Sequence, residues 1–275
     1  MARRHALPRA RLVTLTSDVG AAYAAQMKGR LLNSLPPGRV IDLVHDLPAH
    51  GVGEAAFVLR AMATTFPPGT VHVVVVDPGV GGARAPVVIE CRDDSRLVGP
   101  DNGILIPLAD TLGVRAAYRI DPRTLGDHPR VGTTFDGRDV FAPAAALLAT
   151  GTPPRRLGPR VVPRRYSIPR PEKRPHGAHG EVVHVDRFGN LITNVPTDWL
   201  SPAADRIGLW CGRARGRRLR VVQSYEAAGA GHLGVLGSSF GSIELFVSGG
   251  RADRRLGARV GSSVRLRWPD GRRTG

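Results

Sequence analysis

The feature that most constrains the fold of this 275-residue chain is an alternation of short apolar runs with longer segments of helical spacing. The apolar runs are rich in valine, leucine and isoleucine, and proline pairs end both helical segments. This order predicts a parallel-rich sheet with flanking crossover helices, an α/β fold. The predicted strands span residues 11–16, 39–44 and 70–76, and the predicted helices span 21–35 and 53–66.

Two carboxylates follow predicted strands, Asp18 after the first and Asp77 after the third. Ligands of open α/β sheets bind at the carboxyl ends of the strands, so both residues are expected at one binding edge. Asp18 suits the two hydroxyls of a ribose, but an aspartate there could equally cap the helix over 21–35. The chain has no Gly-x-Gly-x-x-Gly or Walker loop, so a nucleoside without phosphates fits better than a dinucleotide.

A glycine-rich loop, "PGVGGA", separates Asp77 from Arg84. A paired carboxylate and guanidinium can fix and polarise a small nucleophile such as water. The alternative is a surface loop with a weak ion pair, which is the commoner situation for an aspartate and an arginine. The glycines favour a functional role, because backbone without side chains lets a ligand approach closely.

The second half of the chain has a different pattern. A segment rich in proline and arginine is followed by many short alternating runs with glycine turns, which indicates a small β-barrel or sandwich. We therefore predict an α/β domain over residues 1–155, a basic linker over 156–178 and an all-β barrel domain over 179–275.

The net charge of +16 comes almost entirely from arginine, which suggests either nucleic-acid binding or simply a cationic surface. Aromatic residues do not interleave with the basic clusters along the sequence, so a nucleic-acid partner is not expected. No apolar run is long enough for a membrane span, and the two cysteines are far apart. A cytoplasmic protein without disulfides is expected, and the scattered histidines support no metal site.

Two further segments contain candidate binding residues. In "DRFGNLITN", Asp186 could hold an ammonium, Phe188 could stack on a base and Asn190 could pair with an adenine edge. The alternative is a strand-connecting turn in which the phenylalanine is core and the asparagine caps. The run "SSFGSIELFVSGG" at 238–250 is either ligand-facing backbone or another turn.

Eight motifs in order, from about residue 11 to about residue 260, resemble the S-adenosyl-L-methionine hydroxide adenosyltransferase family, relatives of the fluorinase and chlorinase enzymes. Each motif is weak alone, and the order makes the resemblance specific. The motifs are "TLTSDVG", "AQMKG", "IDLVHDLPAHGVGEAAFVLR", "FPPGTVHVVVVDPGVGGAR", "VGPDNGIL", "TFDGRDVFAPAAALLATG", "DRFGNLITN" and "GSSFGSIELFVSGG".

The resemblance implies an enzyme that hydrolyses S-adenosyl-L-methionine (SAM) to adenosine and methionine, by attack of water or hydroxide on the 5′ carbon. It implies an α/β domain, a β-barrel domain and a homotrimer whose active sites lie between the first domain of one subunit and the second domain of the next. SAM is the substrate, and no metal or other cofactor is implied.

The resemblance also assigns roles to residues. Asp77, Arg84 and Asp136 match the catalytic, water-holding group, and Asp18 matches the carboxylate that binds the ribose. The other implied substrate-binding positions are Asp186 at the ammonium, Phe188 and Asn190 at adenine, Tyr225 as an aromatic lining, Ser239 and Phe240 near the methionine carboxylate, and the strip from Val247 to Gly249 beside adenine.

The sequence departs from the family pattern at two places. Asp136, in "FDGRD", stands where the family usually has histidine, and it would either weaken hydroxide capture or act as a general base. The segment "SDVGAAYAAQMKG" is shorter than usual. A halogenase and a non-catalytic SAM or adenosine binder remain alternatives, although the charge of Asp77 disfavours a halide ion in a dry site.

Overall fold

The structure is a computed structural model that describes residues 10–126, 131–166, 168–200 and 204–268. The chain divides into two compact units, with the boundary between Ile168 and Pro169. The first unit contains α-helices and a mixed sheet, and the second is built almost entirely from β-strands.

A six-stranded sheet forms the centre of the first unit, with the strand order β2-β1-β3-β5-β4-β6. The first four strands in that order are parallel to one another, whereas β4 is antiparallel to both β5 and β6. The strands are β1 (Val13–Ser17), β2 (Val40–Val44), β3 (Val71–Val75), β4 (Pro86–Cys91), β5 (Arg96–Pro100) and β6 (Val114–Arg119).

Four helices accompany this sheet: α1 (Gly20–Leu32), α2 (Val52–Ala63), α3 (Ile106–Leu112) and α4 (Ala142–Ala149). α1 packs against α4, and α2 packs against α3. Met27 and Leu31 of α1 are fully buried in one core with Leu15 of β1 and Val73 of β3. Within the described ranges, none of the helices has both the length and the apolar character needed to cross a bilayer.

The five elements predicted at the start of the chain are present as β1, α1, β2, α2 and β3, and their ends differ from the predicted ones by up to three residues. The sheet is mixed because the chain that leaves β3 passes through β4 and returns as a hairpin to β5. The connections from β1 through α1 to β2, and from β2 through α2 to β3, are nevertheless the crossover connections that the alternation predicted.

The basic segment predicted as a linker, 156–178, divides between the two units. Its first part lies along β6, where the Arg119 N–H donates to Pro159 O at 2.9 Å and the Asp121 N–H to Leu157 O at 2.8 Å. The prolines lack an N–H, but their carbonyls still accept bonds from the strand edge. The second part already contains β7 (Glu172–Arg174) and the beginning of β8, which starts at Gly177.

The second unit is a single barrel-like antiparallel sheet with the order β11-β10-β14-β8-β9-β13-β12, and β7 pairs with β8 beside this path. A bridge between Val221 and Val235 brings the two ends of the path together. The remaining elements are β8 (Gly177–Val185), β9 (Leu191–Pro196), β10 (Arg206–Cys211), β11 (Ala214–Arg220), β12 (Leu233–Gly237), β13 (Ser242–Val247), α5 (Ala252–Leu256) and β14 (Ser263–Arg267).

Candidate active site

A pocket lies at the carboxyl ends of β1 and β3 in the first unit, with a volume of about 240 Å³. Because β1 and β3 are adjacent and parallel, Asp18 and Asp77 leave the sheet at the same edge. Asp136 reaches this edge from the segment that precedes α4. The lining residues are Asp18, Val19, Ala49, His50, Val75, Asp77, Val80, Thr134, Phe135, Asp136 and Gly137.

Asp77, Arg84 and Asp136 form one hydrogen-bonded cluster at this pocket. Arg84 donates from Nε to Asp77 Oδ1 at 2.9 Å and from Nη2 to Asp77 Oδ2, so this pair is bidentate. The same Nη2 atom donates to Asp136 Oδ2 at 2.5 Å. The structure therefore brings together the three residues that the family resemblance implies as the catalytic, water-holding group.

The cluster is buried and carries an excess of negative charge. Only 10% of the Arg84 side chain is exposed, against 5% for Asp77 and 7% for Asp136. Burial opposes the charge of Arg84, but the hydrogen bonds and charges of the two aspartates outweigh it and raise the pKa of the guanidinium. Two carboxylates thus share one permanent cation beside the pocket.

Small residues make the close packing around this cluster possible. Gly81 has φ +76°, and a Cβ at this position would lie 2.9 Å from Thr133 O, so the glycine loop can only approach residue 133 without a side chain. Asp136 directly precedes a π-helical turn, Gly137–Phe141, which continues into α4. Such turns are rare and frequently occur at functional sites.

Asp18 is held by the loop that follows β2. The His50 N–H donates to Asp18 Oδ2 at 3.0 Å, and His50 has φ 64°, a left-handed conformation that is uncommon for residues other than glycine. The N-cap of α1 is Val19, and no side-chain hydrogen bond caps this helix. The structure therefore excludes the helix-cap alternative for Asp18 and presents the carboxylate at the pocket wall.

In the second unit, Asp186 organises the turn between β8 and β9. Its carboxylate accepts hydrogen bonds from the Phe188 N–H and the Asn190 N–H, both at 2.9 Å, and from Asn190 Nδ2 at 3.0 Å. Phe188 is 67% exposed, so the structure does not support the alternative in which this phenylalanine is a core residue. The turn therefore presents an aromatic ring to its surroundings.

A buried carboxyl group that the sequence did not single out lies near this turn. Glu244 of β13 is 4% exposed, and Tyr225 Oη donates to Glu244 Oε1 at 2.9 Å. Burial first, and the charge of Asp186 second, raise the pKa of Glu244 although its bond to Tyr225 lowers it. Burial, the bond to Glu244 and nearby negative charge raise the pKa of Tyr225 to about 12.

The remaining sequence-predicted residues lie at the two ends of β13. Val247 is the last residue of β13 and Gly249 follows it, at the end of the strand where Leu245 pairs with Leu191, near the Asp186 turn. Ser239 and Phe240 precede the other end, and the Phe240 ring meets His184 edge-on at 5.8 Å. Most of β13 therefore separates these two groups along the sheet.

Both units match a known protein family. The model of the SAM hydroxide adenosyltransferase N-terminal domain matches residues 13–158, and the model of its C-terminal domain matches residues 180–265. This chain belongs to the SAM hydroxide adenosyltransferase family. The resemblance inferred from eight ordered motifs is confirmed.

Relatives of this chain cover between two thirds and nearly all of its length. A protein of Salinispora tropica named (R)-S-adenosyl-L-methionine hydrolase is 38% identical over 261 residues, which cover 92% of this chain and 97% of the relative. A fluorinase of Nocardia brasiliensis is 26% identical over 214 residues, covering 67% of this chain and 71% of that enzyme. The crystal structure of an uncharacterized conserved protein from Thermotoga maritima matches with a TM-score of 0.86 and 32% identity, and covers 93% of this chain and all of that one.

Two residues of the candidate site, His50 and Glu244, were missed by sequence reasoning. His50 was counted only among scattered histidines, and its left-handed backbone leaves no trace in the sequence. Glu244 could have been noticed as the single acidic residue in the apolar strand "SIELFV". Across the described ranges, no three His, Cys, Asp or Glu side chains are grouped so that they could hold a metal ion.

Proposed function

We propose that this protein hydrolyses SAM to adenosine and L-methionine, and that the (R) epimer at sulfur is its substrate. The observation that carries the proposal is the match of 92% of the chain to a relative named for this activity, at 38% identity. The buried Asp77–Arg84–Asp136 cluster, two members of which line a pocket of about 240 Å³, supports it.

The proposed reaction needs a positioned water molecule more than it needs an activated leaving group. The oxygen of water attacks the 5′ carbon, the bond from this carbon to the sulfonium breaks, and its electron pair leaves with sulfur as the neutral thioether of methionine. The water oxygen becomes the 5′ hydroxyl of adenosine and releases one proton. Asp77, Arg84 and Asp136 would hold the water in line with the bond that breaks.

The charge of the cluster suits a cationic substrate. The sulfonium of SAM is positive in the ground state and becomes neutral as its bond to carbon breaks, and the two carboxylates lie beside the same pocket. A hydroxide ion would be disfavoured there, so the nucleophile in this proposal is water and a carboxylate can accept its proton. A halide ion would meet the same repulsion, which disfavours the halogenase alternative.

The proposed substrate contacts extend to both units. Asp18 would accept hydrogen bonds from the ribose hydroxyls, while the Asp186 turn and Val247–Gly249 would bind the methionine ammonium and the adenine. By the family resemblance, we propose that the chain forms a homotrimer in which a neighbouring subunit supplies the second set of contacts. We also propose that the reaction needs neither a metal nor another cofactor.

The test is to incubate the purified protein with each SAM epimer and to separate the products by chromatography. We expect adenosine and methionine from the (R) epimer, at the same rate with and without EDTA. Intact SAM together with calorimetric binding would instead identify a non-catalytic binder. A 5′-halogenated nucleoside formed in the presence of chloride or fluoride would identify a halogenase.

Asp77→Asn separates binding from turnover in the same assay. This isosteric change removes the charge that Arg84 binds in a bidentate pair, and we expect kcat to fall by about 100-fold or more while SAM binding persists. Unchanged turnover in Asp77→Asn would show that the cluster does not hold the nucleophile.

A further inference from the structure

Three neighbouring strands of the second unit carry a dense group of arginines. The strands β11, β10 and β14 lie side by side in this order and contain seven arginines but no aspartate or glutamate. All seven side chains are exposed. We call them the arginine face, which comprises Arg206, Arg215, Arg217, Arg218, Arg220, Arg265 and Arg267.

Strand register brings these arginines close together. Arg206 pairs with Arg220 across β10 and β11, and Gly208 is flanked by Arg218 on one side and Arg267 on the other. Neighbouring strands lie about 4.8 Å apart, so Arg218 and Arg267 leave the sheet about 10 Å from each other. Like charges placed directly opposite destabilise a sheet, so this arrangement is unfavourable unless an anion binds to it.

Within the part of the chain that the structure describes, none of the seven arginines makes an ion pair with a carboxylate. Arg96 and Arg123 of the first unit, in contrast, both pair with acidic side chains. Two cavities of about 230 and 340 Å³ open on the arginine face, and both are lined by Trp210 and Arg267. The face therefore offers concave sites with unneutralised cations.

Trp210, the tryptophan of this face, contacts two glycines and one arginine. The ring of Trp210 lies against Gly208 and Gly216, where an added Cβ would come within 3.1 Å of it. The Arg265 guanidinium carbon lies 4.2 Å from the centre of the same ring. Trp210 thus holds a guanidinium against its ring, and the exposed arginines around it favour recognition of phosphates.

We propose that the arginine face binds the phosphate backbone of double-stranded DNA, without regard to sequence, as a second function of this protein. Duplex DNA has one negative charge per about 1.7 Å of its axis, a density that can engage several arginines of the face at once. Single strands rely on base stacking for much of their affinity, and Trp210 of this face already has a guanidinium against its ring. None of the seven arginines lines the pocket of the first unit.

The test measures anisotropy of a labelled random-sequence duplex of about 20 base pairs while the salt concentration rises from about 50 to about 200 mM. We expect binding that weakens steeply, with a log–log slope of about −3 or steeper, equivalent to at least three phosphate contacts. The triple variant Arg206→Gln, Arg218→Gln, Arg267→Gln should bind at least about tenfold more weakly at the lower salt, with a slope smaller by 2 to 3. The corresponding triple lysine variant should retain the slope, because it keeps the charges.

A matched control removes the same number of charges from the first unit. Arg155→Gln, Arg156→Gln, Arg160→Gln lowers the net charge equally at exposed arginines outside the face, and we expect DNA binding within about twofold of the unmodified protein. None of the six positions belongs to the proposed SAM site, so unchanged SAM hydrolysis in both variants shows that they are folded. If hydrolysis is absent in every protein, the salt-dependent difference in DNA binding still tests this proposal alone.

Three results would overturn the proposal. The first is an equal loss of DNA binding in the control variant, which would indicate attraction by net charge only. The second is tighter binding to single strands or to phosphatidylserine vesicles than to the duplex. The third is a change in oligomeric mass of the arginine-face variant with unaltered DNA binding, which would identify the face as a contact between copies of the chain.

Discussion

Asp136 and Asp77 bond to the same guanidinium, so at the residue scale the proposed water site has two carboxylates and one cation. The family pattern inferred from the sequence has a histidine at position 136, which would leave one carboxylate per cation. The extra negative charge is buried, where it is weakly screened. It disfavours hydroxide, so attack depends on neutral water, which is the weaker nucleophile, and the proposed reaction should therefore be slower than with a histidine at position 136.

We expect Asp136→His to increase kcat for SAM hydrolysis by about tenfold, equivalent to about 1.4 kcal/mol of barrier. The change removes a negative charge from beside the attacking oxygen and leaves a side chain that can still bond to the cluster. The measurement is adenosine release under saturating SAM, with the Arg84 and Asp77 positions unaltered.

Asp136→Asn is the matched control for this prediction, since it removes the charge and nearly preserves the shape. If the charge is what slows the reaction, Asp136→Asn should also be faster than the unmodified protein. A large loss of kcat in Asp136→Asn, without a gain in Asp136→His, would instead identify Asp136 as the general base and contradict the prediction.

At the scale of elements, the pairing of β1 with β3 buries a titratable group in the sheet. His72 of β3 lies opposite Thr14 of β1, and His72 Nδ1 and Thr14 Oγ1 share a hydrogen bond of 2.8 Å. Burial lowers the pKa of His72 from 6.5 to about 4, although the charge of Asp93 opposes the shift. The folded chain therefore keeps this ring neutral at a pH where the unfolded chain protonates it.

We expect this histidine to make the fold sensitive to acid. Its contribution to stability is fully present above about pH 6.5 and declines as the pH falls towards about 4, by about 3 kcal/mol in total. Urea unfolding, monitored by circular dichroism at several pH values across this range, measures the decline in the free energy of unfolding. His72→Asn retains a polar partner for Thr14 but does not titrate, so its stability should depend less on pH; equal slopes for both proteins would contradict the assignment.

The sequence predicts those elements that depend on patterns among residues close together along the chain. The alternation of valine runs and helical spacing predicts β1, α1, β2, α2 and β3, and the ends of β1 and β3 then bring Asp18 and Asp77 to one edge. The bond between Tyr225 and Glu244 could not be predicted this way. It depends on β13 lying next to the turn after β11, and antiparallel pairing in the second unit leaves no local signal for such contacts.

At the scale of the whole molecule, strand pairing brings together charged residues that are far apart in the sequence. The basic clusters contain few aromatic residues along the chain, yet the register of β10 and β14 places Trp210 beside Arg265. In the same way, arginines from three separate strands form one surface in the fold. Net charge alone could not distinguish a uniformly cationic surface from a concentrated one.

The proposed homotrimer makes a quantitative prediction about mixed assemblies. Asp77→Asn disables the first unit of a chain, and Asp186→Asn removes the proposed ammonium contact of the second unit. If each site takes its first unit from one subunit and its second unit from the next, random mixing of the two variants leaves about a quarter of the sites with both units intact. Co-expressed variants should therefore regain about a quarter of the unmodified activity, whereas the two variants purified separately and assayed together without subunit exchange should stay inactive. Light scattering should give about three times the mass of one chain, and a co-expressed mixture as inactive as its components would show that each site belongs to a single chain.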